Sequence, residues 1–261
     1  MGSKTFAAVV DVLPETGFRK PTARITVRGA RAAYVGPGLD LSPHRNAAAT
    51  LAIALEAPFH LALAGKDKRL GPAKTEWTAL IPPGSWHHLR ASGPMAFFYL
   101  DPLSSDLRTL SAQKLPALGR AAGAMLLERK NEDAIEAIGR LFQLWPHVIA
   151  LAEPRMTALV HALDERPEDF PTLQHAAATV GLSPSRCQAL LKEHLGMPFR
   201  RYRLWRRMAR ALRDVANGSN LTQAAHAVGF NSSAHFSTAF KTMFGLAPST
   251  LSALGVEFDL D

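Results

Sequence analysis

The chain has 261 residues, enough for two domains of ordinary size, with 47% hydrophobic residues and a formal net charge of +8. That composition can bury real cores, and the basic balance favours a polyanionic partner, nucleic acid ahead of an anionic membrane. Cys187 is the single cysteine, which excludes an intrachain disulfide, and no apolar run reaches the roughly 18 residues of a membrane span.

Residues 1–13 lack a basic segment followed by an apolar run, so no signal peptide is expected, and the cytoplasm is the expected location. Residues 5–100 read as short strands between turns. Ala23-Arg24-Ile25-Thr26-Val27-Arg28 alternates with the period of a strand. Apolar runs of strand length follow at 51–55, 59–63, 78–81 and 95–100. Gly36-Pro37-Gly38, Gly71-Pro72 and Pro82-Pro83-Gly84 supply turn chemistry between them. Many short strands at close spacing predict a β-sandwich or small barrel over residues 1–103. The alanine-rich run 47–54 is equally compatible with helix on propensity alone.

From about Asp106 the pattern becomes helical. Residues 117–129 and 131–144 carry apolar positions at three and four spacings, and Asn131 with Glu132 and Asp133 behind it reads as a helix start. Trp145-Pro146 interrupts. Residues 104–153 are therefore read as a helical linker or dimerisation segment. Pro154 opens a further helix over 155–164, the first of an all-α domain at 154–252, with 253–261 as a tail.

That domain contains one motif twice. Leu173, Ala177, Val180 and Gly181 in the first copy match Leu221, Ala225, Val228 and Gly229 in the second. Each copy is followed by an amphipathic stretch ending in glycine, Gly196 and Gly245. In the first, Thr172 caps a short helix at 173–179, Gly181 makes the turn, Ser183 caps the next helix and Pro184 takes its first position. In the second, Asn220 caps 221–227, Gly229 turns, Asn231 or Ser232 caps, and 234–244 is the second helix. These are two helix-turn-helix units, the shape that lays a helix in a DNA groove.

Residues 198–215 join them as one helix, roughly 27 Å long, against about 34 Å for a turn of B-DNA. The connector carries Arg200, Arg201, Arg203, Arg206, Arg207, Arg210 and Arg213, a stripe expected to sit against phosphates, Arg206 and Arg207 above all. A plain helical bundle with a solvated basic face is the alternative. The paired caps and glycines argue against it. Phe230, Phe236, Phe240 and Phe244 are expected in the core of the second unit, Trp205 and Met208 between the units, and Cys187 as a small packer.

Residues 154–251 resemble the DNA-binding domain of the AraC/XylS-type transcription regulators. The resemblance rests on Gly181-Leu182-Ser183-Pro184-Ser185-Arg186 and Leu195-Gly196-Met197-Pro198. It is most specific in the stretch from Ala225 through Gly229-Phe230, Ser233, Phe236 and Phe244-Gly245 to Pro248-Ser249. It implies DNA-facing residues on the first turns of the two recognition helices: Ser185, Arg186, Gln188 and Ala189, then Ser233, Ala234, His235, Ser237 and Thr238. By chemistry Arg186 suits guanine and Gln188 adenine. Two departures, Thr238 in place of arginine and Thr250-Leu251 in place of Tyr-Arg, imply that the second unit positions the protein more than it reads bases.

Pro82-Pro83-Gly84-Ser85-Trp86-His87 fits the Pro-x-Gly-x-x-His element of cupin barrels, which many regulators of this family carry as a sensor. His44-Arg45-Asn46 resembles the earlier cupin His-x-His with its second histidine replaced, and Glu56 is the nearest acid. A metal at His44 and His87, with His88 or His60, is conceivable but not expected, so no cofactor is assigned. His44, His87 and His88 are instead read as an effector pocket.

The leading expectation is a mixed fold, a cupin-like β-barrel followed by a helical segment and a tandem helix-turn-helix domain. It would act as a non-enzymatic transcription regulator responding to a small molecule. Its partners would be double-stranded DNA, the effector, a second copy of the chain and, for an activator, RNA polymerase, with no membrane. The alternatives are a cupin-type metalloenzyme with a helical appendage and an effector-independent DNA binder.

Overall fold

The computed structural model describes residues 23–28, 31–65, 67, 69–100, 110, 115–128, 134–142 and 153–260. Its amino-terminal half is built from two sheets. One contains β1 (Arg24–Arg28), β2 (Arg31–Gly36), β4 (Thr50–Ala54), β7 (Thr78–Ile81), β9 (Met95–Tyr99) and β10 (Glu257–Leu260), in the order β10-β1-β2-β9-β4-β7. The other contains β3 (Asp40–His44), β5 (Phe59–Leu63), β6 (Lys74–Glu76) and β8 (His87–Arg90), in the order β3-β8-β5-β6. Tyr34, Ala52, Met95 and Phe97 of the first sheet share a core with Leu41, Phe59, Leu61 and Leu89 of the second.

The ambiguous run 47–54 is a strand from Thr50, laddered to both β7 and β9. It lacks polar alternation because both its faces are buried. Ala52 and Ala54 face the inter-sheet core, while Leu51 and Ile53 face outward onto helices. Those helices are α1 (Leu115–Glu128) and α2 (Ala134–Phe142), whose Ala122, Ile138 and Phe142 pack with Leu51, Ile53 and Phe98. At Gly123 an added Cβ would lie 3.0 Å from the Leu55 carbonyl oxygen, so α1 needs a small residue there. The described part of the segment expected to link or dimerise is thus a cover over the six-stranded sheet. The cap expected at Asn131 and the break at Trp145-Pro146 lie outside the described residues.

The helical domain follows the expected plan closely. It comprises α3 (Pro154–Glu165), a 3-10 turn (Pro167–Asp169), α4 (Leu173–Thr179), α5 (Pro184–Leu195), α6 (Phe199–Ala216), α7 (Leu221–Ala227), α8 (Ser233–Phe244) and α9 (Pro248–Ala253). Thr172, Ser183, Asn220 and Ser232 all cap through their side chains, and Asn220 with Gln223 forms a reciprocal capping box. Met156, Leu159 and Leu163 of α3 close the first unit's core with Cys187, Leu190, Leu191 and Tyr202. The second unit's core is different. Trp205, Met208, Phe230, Phe236, Phe240 and Phe244 are continuous with the interior of the β-domain.

The segment expected as a tail also belongs to the β-domain. Residues 257–260 are β10, paired in parallel with β1 from Arg24↔Glu257 to Val27↔Leu260. The chain's end therefore covers the edge of the first sheet, whose ladder groups would otherwise be open.

Candidate nucleic-acid interface

α5 and α8 are the second helices of the two helix-turn-helix units, and each buries one side and shows the other. In α5, Cys187, Leu190 and Leu191 face the core, while Ser185, Arg186 and Ala189 are exposed and Gln188 is half-buried. In α8, Phe236, Phe240, Met243 and Phe244 face inward, Ala234, His235 and Thr238 are exposed, and Ser233 and Ser237 are half-buried. The geometry therefore leaves all nine expected contact residues at least partly accessible near the helix starts. Thr238 Oγ1 donates to the Ala234 carbonyl at 3.0 Å, which occupies the hydroxyl proton and leaves the oxygen as an acceptor. Burial pushes the Cys187 thiol above its ordinary value, the opposite of what a reactive thiolate needs.

The connector departs from expectation. Arg206 and Arg207 are 4% and 7% exposed, so neither guanidinium can lie on a phosphate. Arg206 Nε is 2.7 Å from Asp164 Oδ1, the carboxylate that also accepts from the Tyr202 hydroxyl at 2.6 Å. Arg207 donates from Nε to the Val228 carbonyl at 2.6 Å and lies over the Phe230 ring, 3.8 Å from its centre. Burial, and then neighbouring Arg203, pull the Arg207 pKa down to about 10, so it remains a cation at neutral pH. Arg203 donates to the Pro167 carbonyl at 2.9 Å, and Arg210 faces Glu168. An arginine stripe every three or four residues reads as a solvated face because the sequence does not show its partners. Here they are the carboxylates and carbonyls of α3, the 3-10 turn and the end of α7. Arg200 is exposed and Arg201 half-buried.

α8 ends against the β-domain. β3 is an edge strand, and its register with β8 shifts between Leu41 and His44, around Pro43. That irregularity turns backbone N–H groups outward. Ser42 N–H donates to the Gly245 carbonyl at 2.9 Å, and Arg45 N–H to the Thr242 carbonyl at 3.3 Å. Both acceptors are terminal carbonyls that a helix cannot satisfy internally. The helix end and the strand edge thus complete each other. The sequence carried one sign of this, a proline inside an otherwise strand-like segment.

His44 and His87 are paired partners on β3 and β8, both 1% exposed, with ring centres 4.1 Å apart. Each ties its Nδ1 to a backbone carbonyl, Ser42 at 2.8 Å and Ser85 at 2.9 Å. Burial, then the neighbouring His87, hold His44 near a pKa of about 3, and burial lowers His87 as well, so both are neutral at pH 7. His88 lies half-buried, with Nε2 3.4 Å from Asp40 Oδ1, and His60 is exposed. Among the described residues no group of three or more His, Cys, Asp or Glu side chains could hold a metal ion. The two rings are tilted at 55° to each other, and His44 packs beside Gly245.

A separate cavity of about 60 Å³ lies between the six-stranded sheet and the second unit. Tyr34, Phe97 and Tyr99 form one wall and Trp205, Phe240 and Phe244 the other. None of His44, His87 and His88 lines it. The Tyr34 hydroxyl is satisfied by the Pro37 carbonyl at 2.8 Å, but Trp205 Nε1 is buried without a hydrogen-bond partner.

Comparison with known proteins agrees with this architecture. Residues 176–253 match the family described as helix-turn-helix domain. The chain is 23% identical over 188 residues to the HTH-type transcriptional regulator NimR of Escherichia coli K12, covering 66% of this chain and 69% of that protein. It is 37% identical over 110 residues to the HTH-type transcriptional regulator GlxA of Rhizobium meliloti, covering 41% of this chain and 31% of that one. Its fold is similar to ToxT from Vibrio cholerae, with a TM-score of 0.54 at 15% identity over 86% of this chain and 97% of the other. A second ToxT structure, bound to an unsaturated fatty acid, gives 0.55 at 11% identity over 92% and 99%. No helix among the described residues is long and apolar enough to cross a membrane. Residues 176–253 thus carry a helix-turn-helix domain behind a β-domain, in a chain similar to HTH-type transcriptional regulators.

Proposed function

We propose that the protein binds operator DNA through the exposed first turns of α5 and α8. The observation that carries this is the pairing of two capped helices whose inner faces are buried and whose outer first turns are open. Arg186 and Gln188 read bases from the first unit. Ser233, Ala234, His235, Ser237 and Thr238, with Ser185 and Ala189, make shorter contacts to backbone, methyl groups and bridging water. α6, 18 residues and about 27 Å long, sets the spacing between the two helices, close to one turn of DNA. The reading requires no catalysis. It adds a second copy of the chain and, for an activator, RNA polymerase as partners, and the cytoplasm as the place of action.

The effector site favoured by the geometry is the apolar cavity between the β-domain and the second unit. It exceeds the ~10–15 Å³ that one water needs, and its lining offers almost no polar surface, which suits an apolar ligand; at about 60 Å³ it is well below the ~300 Å³ of an ordinary ligand site, so an effector has to widen it. The ToxT structure with a bound unsaturated fatty acid supports a small apolar effector in this fold. A ligand there touches both domains at once, so it can favour one arrangement of them over another.

Selection of bound duplexes from a random pool tests the DNA reading, followed by Arg186→Ala and Gln188→Ala on the recovered site. Each variant should lose roughly 1–3 kcal/mol of discrimination at one base position. Equal loss on selected and random DNA for Gln188→Ala would remove its reading role. Failure of the full chain to bind any duplex at low salt would end the proposal.

A further inference from the structure

A groove of about 340 Å³ opens between β3, the start of α6 and the second half of α8. Arg45 reaches it from the β-domain, Arg200 and Arg201 from the connector, and Thr242 and Met243 from the recognition helix. The Arg45 backbone is fixed to that helix by its N–H bond to the Thr242 carbonyl. The Arg201 guanidinium lies against Gly84, so close that a Cβ there would collide with it. The Pro82-Pro83-Gly84 turn thus serves here as a seat for an arginine of the other domain.

Among the described residues no carboxylate pairs with Arg45, Arg200 or Arg201. This contrasts with Arg203, Arg206, Arg207 and Arg210, which all have partners. Burial, and then the neighbouring Arg45, lower the Arg201 pKa. The first turn of α6 holds Arg200 and Arg201 and no acid, although this is the positive end of the helix dipole. Two domains converge three cations on one groove and supply no anion of their own.

The groove is also placed on the DNA-facing side of α8. Ala234, Thr238 and Thr242 follow at four-residue spacing, all exposed, so one stripe runs from the base-reading turn to the groove, about 12 Å along the axis. A helix lying in a major groove about 12 Å wide has a phosphate backbone on either side of it. The groove is open and two of its arginines are exposed, which fits a polymer lying across it better than an enclosed small ligand.

We propose that Arg45 of the β-domain, together with Arg200 and Arg201, binds a phosphate of the DNA backbone beside the second recognition helix. The β-domain then contributes directly to DNA affinity, without reading sequence. This rests on the DNA-binding reading above.

The test uses the full chain carrying Arg45→Gln, with Arg200→Gln as a second variant. Affinity is measured on the selected operator and on a random duplex between about 50 and 200 mM salt. Each variant should bind both duplexes more weakly, by roughly 3–10-fold at the low end, and flatten the log–log salt slope by about 0.9. The melting temperature should not move, because both side chains are exposed. Unchanged affinity and slope in both variants, with the wild-type chain binding normally, overturns the inference and leaves the DNA reading intact. So does a wild-type melting temperature raised by inorganic phosphate, and not in Arg45→Gln, with equal slopes, since the groove would then hold a small oxyanion. A wild-type chain that binds neither duplex defeats the DNA reading itself.

Discussion

In the first helix-turn-helix unit, Gly196 ends α5 with nothing within 4 Å of the position its Cβ would take. In the second, Gly245 ends α8 with His44 Nδ1, the Ser42 carbonyl oxygen and the Leu41 Cβ all within 2.9 Å of that position. Both glycines have positive φ, 66° and 78°, and both stop their helix in the same left-handed cap. The difference lies behind the helix. The first unit closes its own core with α3, while the second shares its aromatic core with the β-sheets. A repeated motif thus builds two units of unlike independence. One can hold its shape on local contacts, and the other takes its orientation from the domain it is docked on.

The glycine pair offers the sharpest test of that contrast. Gly196→Ala should cost only the left-handed backbone penalty, roughly 1–2 kcal/mol. Gly245→Ala meets the same penalty and also forces α8 away from β3, which adds roughly 1–3 kcal/mol of overpacking. Denaturant unfolding of the full chain compares them directly. Equal losses would show that the junction yields freely and is not a tight contact.

The connector arginines come next. Arg206 ties α6 to Asp164 of the first unit, and Arg207 ties it to Val228 of the second. Arg206→Ala leaves a half-buried carboxylate short of its partner, and Arg207→Ala leaves a buried carbonyl unpaired, so each should cost about 1–3 kcal/mol. Neither should change the salt slope of DNA binding in protein that remains folded. A flattened slope with unchanged stability would return these residues to the phosphate-binding role their sequence suggests.

The smallest effect concerns the chain's end. Removing residues 256–261 deletes β10 and its ladder with β1, a few hydrogen bonds worth about 0.5–1.5 kcal/mol each before the entropy of ordering the strand is subtracted. A net loss of about 1–2 kcal/mol is expected. The exposed Arg24–Glu257 ion pair adds little to it. Amide exchange should quicken in β1 and α9 and stay unchanged in α4 and α5. Faster exchange in the first unit would mean that the two units are coupled more tightly than their separate cores imply.

Much of the helical domain is legible in the sequence. Caps, turns and stops are set within a few residues, by side chains reaching the next backbone N–H and by glycines tolerating positive φ. Thr172, Ser183, Asn220, Gly181 and Gly229 therefore announce their roles locally. The periodic apolar positions of α5 and α8 likewise fix which face turns outward, and with it the exposure of Ser185, Arg186, Ala234 and His235. In the β-domain, runs 59–63 and 78–81 matched β5 and β7 because short apolar stretches between turns have few other ways to be buried.

What the tertiary structure decided was the partner of each face. Arg206 and Arg207 carry the same side chain as Arg200, yet two are buried and one is exposed, because Asp164 and the Val228 carbonyl arrive from distant parts of the chain. β3, with Pro43 inside it, is a strand only because β8 lies alongside, and its outward N–H groups matter only because α8 ends there. Residues 257–260 have no local reason to be a strand. They become one by completing an open sheet edge formed more than 200 residues earlier. Local chemistry acts over three or four residues and can be read from sequence. Long-range pairing depends on which surfaces remain unsatisfied after the elements form, and only the folded chain brings those surfaces together.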